Sequence, residues 1–246
     1  MKNIEKWIET KFVIKKGKLR ASKKIRYVGV SSRIAVDLVA EFYDANLCKY
    51  AKGHLLDLGC GKVPLYLAYK NYVDEITCAD WGNTLHASSF IDFEADLNEP
   101  LRLENNMYDT IILSDVLEHI KEPQNLLNEI NRILKKDGHL IMNVPFFYQL
   151  HEEPHDYFRY TKHALIYMAE KAGFEVLFIE PLGGTLQIIV SLFSNMVKNI
   201  PFLGKIIASF LQNLTLAFTK SKFGRKFSKK TSCQFPFSYG LIALKN

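Results

Sequence analysis

Short apolar runs alternate with segments of helical periodicity between Ser31 and Glu180. This alternation is typical of βαβ units and predicts an α/β fold with a parallel sheet. The apolar runs predict strands at 54–58, 75–79, 90–93, 109–114, 138–144, 174–180 and 238–244. The segments between several of these runs have room for a helix each, as a doubly wound sheet requires.

Three of the segments between the strands have apolar residues on one face of a helix. The first covers 31–51, with Ser31 or Ser32 as the N-cap. The second begins at Pro123 and is predicted to stop at Gly138, after two lysines that suit a helix C-terminus. The third runs from an N-cap at Thr161 to a C-cap position at Gly173.

A different pattern lies before the last predicted strand, over 185–235. Apolar positions at helical spacing are opposed by polar ones and interrupted at Pro201 and Gly204, which predicts an amphipathic helical hairpin. Each arm is shorter than the roughly twenty apolar residues that cross a bilayer. Three functions fit this insertion: a lid over a substrate site, a homodimer surface, or an anchor at a membrane surface.

The charge is distributed unevenly around the net value of +6. Residues 1–30 carry ten Lys or Arg and two Glu, residues 31–180 carry thirteen against twenty-four acids, and residues 181–246 carry nine and no acid. We therefore divide the chain into a basic extension (1–30) and a domain (31–246) that includes the insertion. The basic ends either meet an anionic partner or only aid solubility. The apolar residues near them are mainly aliphatic, which disfavours nucleic acid as that partner.

The N-terminus lacks the continuous apolar run of a secretory signal. The four cysteines share no C-x-x-C spacing, so we expect free thiols in a reducing compartment and no zinc site made from them. Both observations favour a cytoplasmic protein. If the insertion is a membrane anchor, we expect the protein to contact the inner face of the membrane.

The stretch HLLDLGCGKVPLY, residues 54–66, places Gly59 and Gly61 directly after a predicted strand. In a doubly wound sheet this position faces the ligand crevice. A dinucleotide fingerprint requires glycine at position 64, where Pro64 stands, and this counts against NAD. The carboxylate of Asp57 would repel a pyrophosphate but can accept hydrogen bonds from an ammonium group.

The second strand ends in Asp80 and Trp81. A carboxylate at this position can accept hydrogen bonds from both hydroxyls of a ribose, and the indole offers a flat surface for an adenine. Each residue also has a structural interpretation, since Asp80 could cap a helix and Trp81 could pack in the core.

The motifs LLDLGCGKVPLY, ITCADW, FEADLNEPL and YDTIILSDVLEHIKEPQNLLNEINRILKKDGHLIMNVPF resemble those of class I S-adenosylmethionine-dependent methyltransferases of the type 11 kind. The resemblance covers about 54–180 and implies a Rossmann-like, doubly wound sheet of seven mostly parallel strands with the last strand antiparallel. It implies S-adenosyl-L-methionine as cofactor. The cofactor-binding residues that it implies are Asp57, Gly59, Cys60, Gly61, Asp80, Trp81, Asp96, Leu97, Ser114 and Asp115. His119 of the LEHI element would lie beside the reacting sulfur, and the usual third glycine of the motif is missing.

The segment after the fifth strand, VPFFYQLHEEPHDYFRYT, carries many ionisable groups. We predict His155 as a general base tuned by Asp156, and Arg159 as a bidentate ligand of an anionic substrate group. With His119 these are the candidate catalytic residues. An Arg159–Asp156 pair that only fixes the loop is an equal alternative. His151, Glu152 and His155 also have the residue types of a divalent metal site, but we assign no metal.

SDVLEH follows the fourth strand, where methyltransferases that act on amino groups of adenine or glutamine carry N-P-P-Y or D-P-P-Y. We therefore expect O-methylation of a small molecule, a sugar or a lipid-linked glycan precursor, and the segment PHDYFRYT is similar to enzymes of glycan and cell-surface pathways. Two alternatives remain open: a non-catalytic cofactor-binding or interaction protein acting through the apolar hairpin, and an RNA methyltransferase.

Overall fold

The computed structural model describes residues 1–82 and 89–246. These residues form two compact units. The first, the sheet unit, comprises Met1–Glu9, Ala45–Glu180 and Tyr239–Asn246, and the second, the helical unit, comprises Thr10–Asp44 and Pro181–Ser238. The division into 1–30 and 31–246 inferred from the sequence stays a prediction.

The structure contains nine strands and seven α-helices within its described ranges. The strands are β1 (Phe12–Lys15), β2 (Lys18–Ala21), β3 (His54–Leu58), β4 (Glu75–Asp80), β5 (Phe93–Glu94), β6 (Tyr108–Ser114), β7 (Leu134–Pro145), β8 (Phe174–Leu182) and β9 (Ser238–Lys245). The helices are α1 (Arg33–Tyr50), α2 (Tyr66–Tyr69), α3 (Pro123–Ile133), α4 (Lys162–Lys171), α5 (Thr185–Val197), α6 (Gly204–Thr219) and α7 (Lys222–Ser232). Short 3-10 turns occur at Ile4–Lys6 and Leu117–His119.

Strands β3 to β9 form one seven-stranded sheet in the order β5-β4-β3-β6-β7-β9-β8. Pairs β3–β4, β3–β6, β4–β5 and β6–β7 are parallel, and the last strand is antiparallel. The predicted Rossmann-like fold class is therefore confirmed. The strand order reverses between β3 and β6, and ligands of such sheets bind beyond the carboxyl ends of the strands at this position.

Two predicted boundaries differ from the structure. The helix predicted from Pro123 to Gly138 ends at Ile133, because the chain from Leu134 onward pairs with β6 as the start of β7. The two lysines assigned to the helix C-terminus therefore belong to a strand. The strand predicted at 90–93 is reduced to Phe93–Glu94, at the edge of the sheet.

The core of the sheet unit is apolar and lies between the strands and helices α3 and α4. Helix α3 buries Leu126, Leu127, Ile130 and Ile133, at the spacing of one helix face. The predicted cap of α4 is confirmed, since Thr161 accepts a hydrogen bond from the main-chain N–H of Ala164. All four cysteines are free, with Cys60 and Cys78 buried and Cys48 and Cys233 exposed.

The helical unit buries the polar faces of its helices. Gln212 of α6 is fully buried; its Oε1 accepts a hydrogen bond from Ile34 N, and its Nε2 donates one to Ser31 O. The amide of Gln212 thereby satisfies an N–H of the first turn of α1, which has no partner within its own helix. Gln187 of α5 is buried as well and donates to Ser228 Oγ of α7.

The apolar faces of the same helices are exposed, so the predicted hairpin exists but points its apolar side outward. Phe202 is 97% exposed, Met196 72% and Phe223 70%. The other exposed large apolar residues of this surface are Ile189, Leu192, Phe193, Ile200, Leu203, Ile206, Ile207, Phe210, Leu214 and Phe227. We call these thirteen residues the apolar face. Within the described residues, no helix combines the length and the hydropathy of a membrane span.

Candidate functional site

The glycine motif forms a tight loop at the carboxyl end of β3. Gly59 and Gly61 have left-handed φ angles of 73° and 53°, which side chains disfavour. A Cβ atom at Gly59 would lie 2.6 Å from Cγ2 of Val116, in the loop after β6. The main-chain N–H groups of Gly59 and Cys60 donate to Ala79 O of β4. The glycine loop therefore packs closely against the backbone of β4, at the point where the strand order reverses.

The helix expected after the glycines is a single turn. Val63 is buried with a left-handed φ of 51°, Pro64 follows it, and α2 covers only Tyr66–Tyr69. A turn of this length provides no helix N-terminus for an anionic group. Because its φ is left-handed, Val63 cannot belong to an α-helix, and the helical turn begins after it.

Asp57 and Asp80 carry the negative charge of the crevice. Asp57 is 2% exposed, and one of its carboxylate oxygens accepts a hydrogen bond of 2.9 Å from the Tyr69 hydroxyl. Burial raises the pKa of Asp57 to about 7; the Tyr69 hydrogen bond opposes this shift, and the charge of Asp80 adds to it. Asp80 accepts hydrogen bonds of 2.8 Å from Gly61 N and from Trp81 N.

Asp96 and Leu97 follow the short strand β5. Asp96 Oδ1 accepts hydrogen bonds from the main chain and the side chain of Asn98, which closes a local turn. The Leu97 side chain is 8% exposed and belongs to the core of the sheet unit. The predicted contact of these two residues with an adenine stays a prediction.

The carboxyl end of β6 is connected to β7 by a chain of hydrogen bonds. Ser114 Oγ donates to Asn143 Oδ1 at 2.8 Å, and Asn143 Nδ2 donates to Asp115 Oδ1 at 2.6 Å. Asp115 has a left-handed φ of 53°. The sequence analysis missed Asn143, which is fully buried, although an amide within the apolar strand LIMNV was a usable signal.

The loop after β7 is held together by Asp156 and Arg159. The Arg159 guanidinium donates to both carboxylate oxygens of Asp156, at 2.6 and 2.7 Å. Burial alone would raise the pKa of Asp156, but the Arg159 hydrogen bonds and the main-chain N–H of His151 lower it to about 2. The Arg159–Asp156 pair considered as the structural alternative is therefore present.

His155, the predicted general base, lies beside Tyr157 and Trp81. Its Nδ1 lies 3.1 Å from the Tyr157 hydroxyl, whereas Asp156 contacts His151 and Arg159. The His155 ring packs edge-on against Trp81, with ring centroids 5.3 Å apart. The loop after β7 and the end of β4 therefore meet at the crevice.

Three ionisable side chains meet beside the 3-10 turn Leu117–His119: Glu118, His119 and His151. Glu118 is completely buried, and burial raises its pKa. The turn is connected to the loop after β7, because the main-chain N–H groups of Tyr157 and Phe158 donate to Glu118 O. Sequence reasoning named His119 and His151 but missed Glu118, and Glu152 lies outside this group.

Comparison with known proteins finds a family model that matches part of the chain and solved structures that share its fold. Residues 56–142 match the family model described as a methyltransferase domain. No protein of curated function matches the sequence.

Three similar solved structures share the fold at low sequence identity. The 4+2 cyclase SpnF has a TM-score of 0.56 and 16% identity, over 87% of this chain and 82% of that chain. A SAM-dependent methyltransferase from Archaeoglobus fulgidus has a TM-score of 0.52 and 15% identity, over 84% of this chain and 92% of that chain. The Haloferax volcanii protein in complex with the Trm112 methyltransferase activator has a TM-score of 0.52 and 14% identity, over 87% of this chain and 93% of that chain. These structures establish similarity of fold alone.

Proposed function

We propose that this chain is a class I, S-adenosylmethionine-dependent methyltransferase, as the match of residues 56–142 to a methyltransferase domain indicates, and that it methylates an oxygen of a small molecule, a sugar or a lipid-linked glycan precursor. The observation that carries the proposal is the convergence of ionisable side chains from the loops after β6 and β7 at the carboxyl edge of the sheet. When bound, the cofactor supplies a methyl group on a positively charged sulfur.

The residues of the crevice fit this cofactor. Ionised Asp57 would hold an ammonium group, and Asp80 would accept hydrogen bonds from the ribose hydroxyls. Gly59 keeps the backbone free of a Cβ that would collide with Val116. Trp81 and Leu97 would contact the adenine, together with Asp96. Ser114 and Asp115, which are both bonded to Asn143, would line the wall beside the sulfur.

Among the candidate catalytic residues, His155 fits a general base best. Its ring is partly exposed and contacts Trp81, so it lies at the crevice. Arg159 is engaged by Asp156 and by the carbonyl oxygens of Tyr148, Gln149 and Phe158. These contacts favour a structural role for Arg159 and Asp156, which keep the loop in place.

Calorimetric titration of the full chain with S-adenosylmethionine, with NADH as the control ligand, tests the cofactor assignment. We expect saturable binding of S-adenosylmethionine alone, and at least tenfold weaker binding by Asp80→Ala, because the ribose loses a charged acceptor.

The affinity for S-adenosylmethionine should fall as pH drops below about 7, since protonated Asp57 no longer attracts an ammonium group. Wild-type binding to neither ligand would contradict the proposal. Tight binding with no turnover of any hydroxyl acceptor would favour a non-catalytic binding protein.

A second observation, the apolar face, supports contact with an anionic membrane surface. Thirteen large apolar side chains are exposed on α5, α6, α7 and the connection between α5 and α6. Exposed apolar surface of this extent is uncommon in soluble monomers and marks a surface that another phase or partner covers. Amphipathic helices that lie in the membrane interface combine such a face with basic residues.

The charge of the same segment favours lipid over a second copy of the chain. Residues 181–246 contain nine Lys or Arg and no acid, and the exposed ones include Lys205, Lys222, Arg225, Lys226, Lys229 and Lys230. In a twofold dimer through this face, the same basic residues would approach one another and repel. Anionic headgroups would instead attract them, by about 1 kcal/mol for each Lys or Arg near the surface.

Co-sedimentation with phosphatidylcholine vesicles, with and without phosphatidylglycerol, tests the membrane contact. We expect binding to the anionic vesicles only, and its loss in the double variant Phe202→Ser, Phe210→Ser. Tyr167→Ser is the matched control, since Tyr167 is 63% exposed on α4 of the sheet unit. A stable dimer in solution that binds neither kind of vesicle would overturn the membrane contact and support a homodimer surface.

A further inference from the structure

Glu118 has a fully buried carboxyl side chain. Its side chain is 0% exposed, and within residues 1–82 and 89–246 neither of its carboxylate oxygens accepts a hydrogen bond. Moving a carboxylate into a protein interior is costly unless a cation or hydrogen-bond donors replace the lost water. A carboxyl group in this position is either protonated or accompanied by positive charge; the Arg159 guanidinium is close enough for its charge to act on Glu118.

Two histidine rings each direct their Nε2 atom toward Glu118. The Nε2 atoms of His119 and His151 each lie 3.7 Å from Oε1 of Glu118. This distance exceeds that of a hydrogen bond, and it leaves space between the three atoms. The candidate ligand atoms of all three residues lie within 4.8 Å of one another.

The other nitrogen of each ring is already engaged by an acceptor. His119 Nδ1 lies 2.7 Å from the carbonyl oxygen of His155. His151 Nδ1 lies 3.3 Å from Gln149 O and 3.3 Å from Oδ2 of Asp156. Because carbonyl and carboxylate oxygens only accept, each ring carries a proton on Nδ1, and a neutral ring then has its lone pair on Nε2, directed at Glu118. Metal-bound histidines typically have this arrangement, with the distal N–H donated to a carbonyl or carboxylate.

Protonation of Glu118 or of one ring would also remove this excess of negative charge, and the wild-type protein would then bind no metal; protonation of both rings is a further way to offset it. The two ring centroids are 4.7 Å apart, so two imidazolium ions would repel each other strongly in a partly buried site. A single divalent cation at the position where the three groups converge neutralises the carboxylate without that repulsion.

We propose that Glu118, His119 and His151 bind a divalent metal ion of the Mn²⁺ class. Two imidazoles and one carboxylate form a ligand set that first-row divalent metals accept, with further coordination positions left open. Asp115 lies near enough for its charge to act on Glu118, and it adds to the negative potential that a cation would meet. This site differs from the combination of His151, Glu152 and His155 considered from the sequence.

The role of the metal in catalysis rests on the proposed function, whereas its binding does not. An acceptor hydroxyl at the open positions would have a lowered pKa, because the metal stabilises the negative charge that develops on oxygen. In the transfer, the new O–CH3 bond forms as the S–CH3 bond breaks, the sulfur keeps the bonding electron pair, and the hydroxyl proton passes to a base or to water. Among the candidate bases, His155 is the one closest in sequence to the proposed ligand His151.

Titration of the full, chelator-treated chain with MnCl2 tests the site. Mn²⁺ prefers oxygen and nitrogen ligands, so the exposed thiols of Cys48 and Cys233 should not compete for it. Calorimetry and electron paramagnetic resonance should detect one equivalent of bound Mn²⁺ in the wild-type protein. Glu118→Gln keeps the shape of the side chain but removes its charge, and we expect at least tenfold weaker binding.

His151→Gln provides a second variant in case Glu118→Gln does not fold, since the His151 side chain is 25% exposed. The matched control is His163→Gln, an exposed histidine on α4, which should bind Mn²⁺ like the wild type. The absence of saturable Mn²⁺ binding in the wild type would overturn the site, as would unchanged binding by both folded site variants. Metal binding without any methyl transfer would leave the site intact and count against the proposed function alone.

Discussion

The sheet unit and helices α5 and α6 of the helical unit place their polar and apolar residues in opposite ways. In the sheet unit, apolar side chains form the core, and polar groups concentrate beyond the carboxyl ends of the strands. In α5 and α6 of the helical unit, amides and hydroxyls are buried and many large apolar side chains are exposed, whereas the N-terminal part of the same unit buries apolar residues such as Ile34, Phe42 and Tyr43. The first arrangement is typical of a domain with a ligand site at its strand ends, whereas the second is expected where the outer face meets an apolar phase.

The buried faces of α5 and α6 contain Ile188 and Val197, but most of their residues are small or polar and allow the helices to pack closely. Ser191, Ser194, Gly204 and Ala208 are all buried, and a Cβ at Gly204 would collide with the backbone at Val197. Such packing depends on the close fit of small side chains more than on the burial of large apolar ones. We therefore expect polar substitutions to affect the two units differently.

The largest effect should come from Asp57, which the sheet unit buries at the crevice. Its pKa is about 7 in the folded chain and near the ordinary value of about 3.9 in the unfolded chain, so folding opposes its ionisation. As pH rises from about 4 to about 8, the wild-type protein should lose about 4 kcal/mol of stability relative to Asp57→Asn, from about three pKa units at 1.36 kcal/mol each.

Urea unfolding of both proteins across this pH range measures the difference. The sign follows from the raised pKa: the unfolded chain releases the proton first, so the penalty grows between the two pKa values and is constant above the higher one. A stability difference independent of pH would mean that Asp57 ionises as readily in the folded protein as in the unfolded chain.

The next effect separates the two faces of α6. Gln212→Leu should destabilise the protein by about 3 kcal/mol, because the buried Ile34 N–H and Ser31 C=O lose their partners at about 1–3 kcal/mol each. Phe210→Gln, at a side chain that is 65% exposed, should change stability by less than about 0.5 kcal/mol.

Denaturant unfolding of the two variants provides the test. If the leucine variant were as stable as the wild type and the glutamine variant lost several kcal/mol, the orientation of α6 would be the reverse of the one described. In that case the comparison between the units would fail.

The smallest effect concerns helix capping, which should follow the same rules in both units. Thr161 accepts from Ala164 N at the start of α4, and Ser221 accepts from Gly224 N at the start of α7. Thr161→Ala and Ser221→Ala should each cost about 1 kcal/mol. Thermal unfolding of the two variants should show similar decreases in Tm. A decrease in only one of them would mean that helix capping does not contribute equally to the stability of the two units.

The strands and the fold class could be predicted because they depend on local apolar runs and on their alternation with helices. The end of α3 could not, since Leu134 fits both an apolar helix position and a strand, and its pairing with Tyr108 of β6 decides the outcome. The periodicity of the insertion correctly identified two faces. Which face is buried depends on Gln212 and its contacts with α1, and these residues are far apart in sequence.

In the candidate site as well, residues placed by local sequence could be predicted, whereas residues placed by tertiary contacts could not. Gly59 and Asp80 were identifiable because each follows a predicted strand in a fold where strand ends face the ligand. Glu118 was not, because its complete burial results from tertiary packing around a 3-10 turn. The partner of Asp156 was one of two open alternatives, and only the distances to Arg159 identify it.

The position of β8 has a consequence for self-association. The strand order places the nine residues of β8 at one end of the sheet, whereas the other end is closed by a strand of two residues. A long outer strand can template the addition of a strand from another molecule, the first step of sheet-based aggregation. The exposed Glu175 and the missing N–H of Pro181 oppose such addition at the two ends of β8.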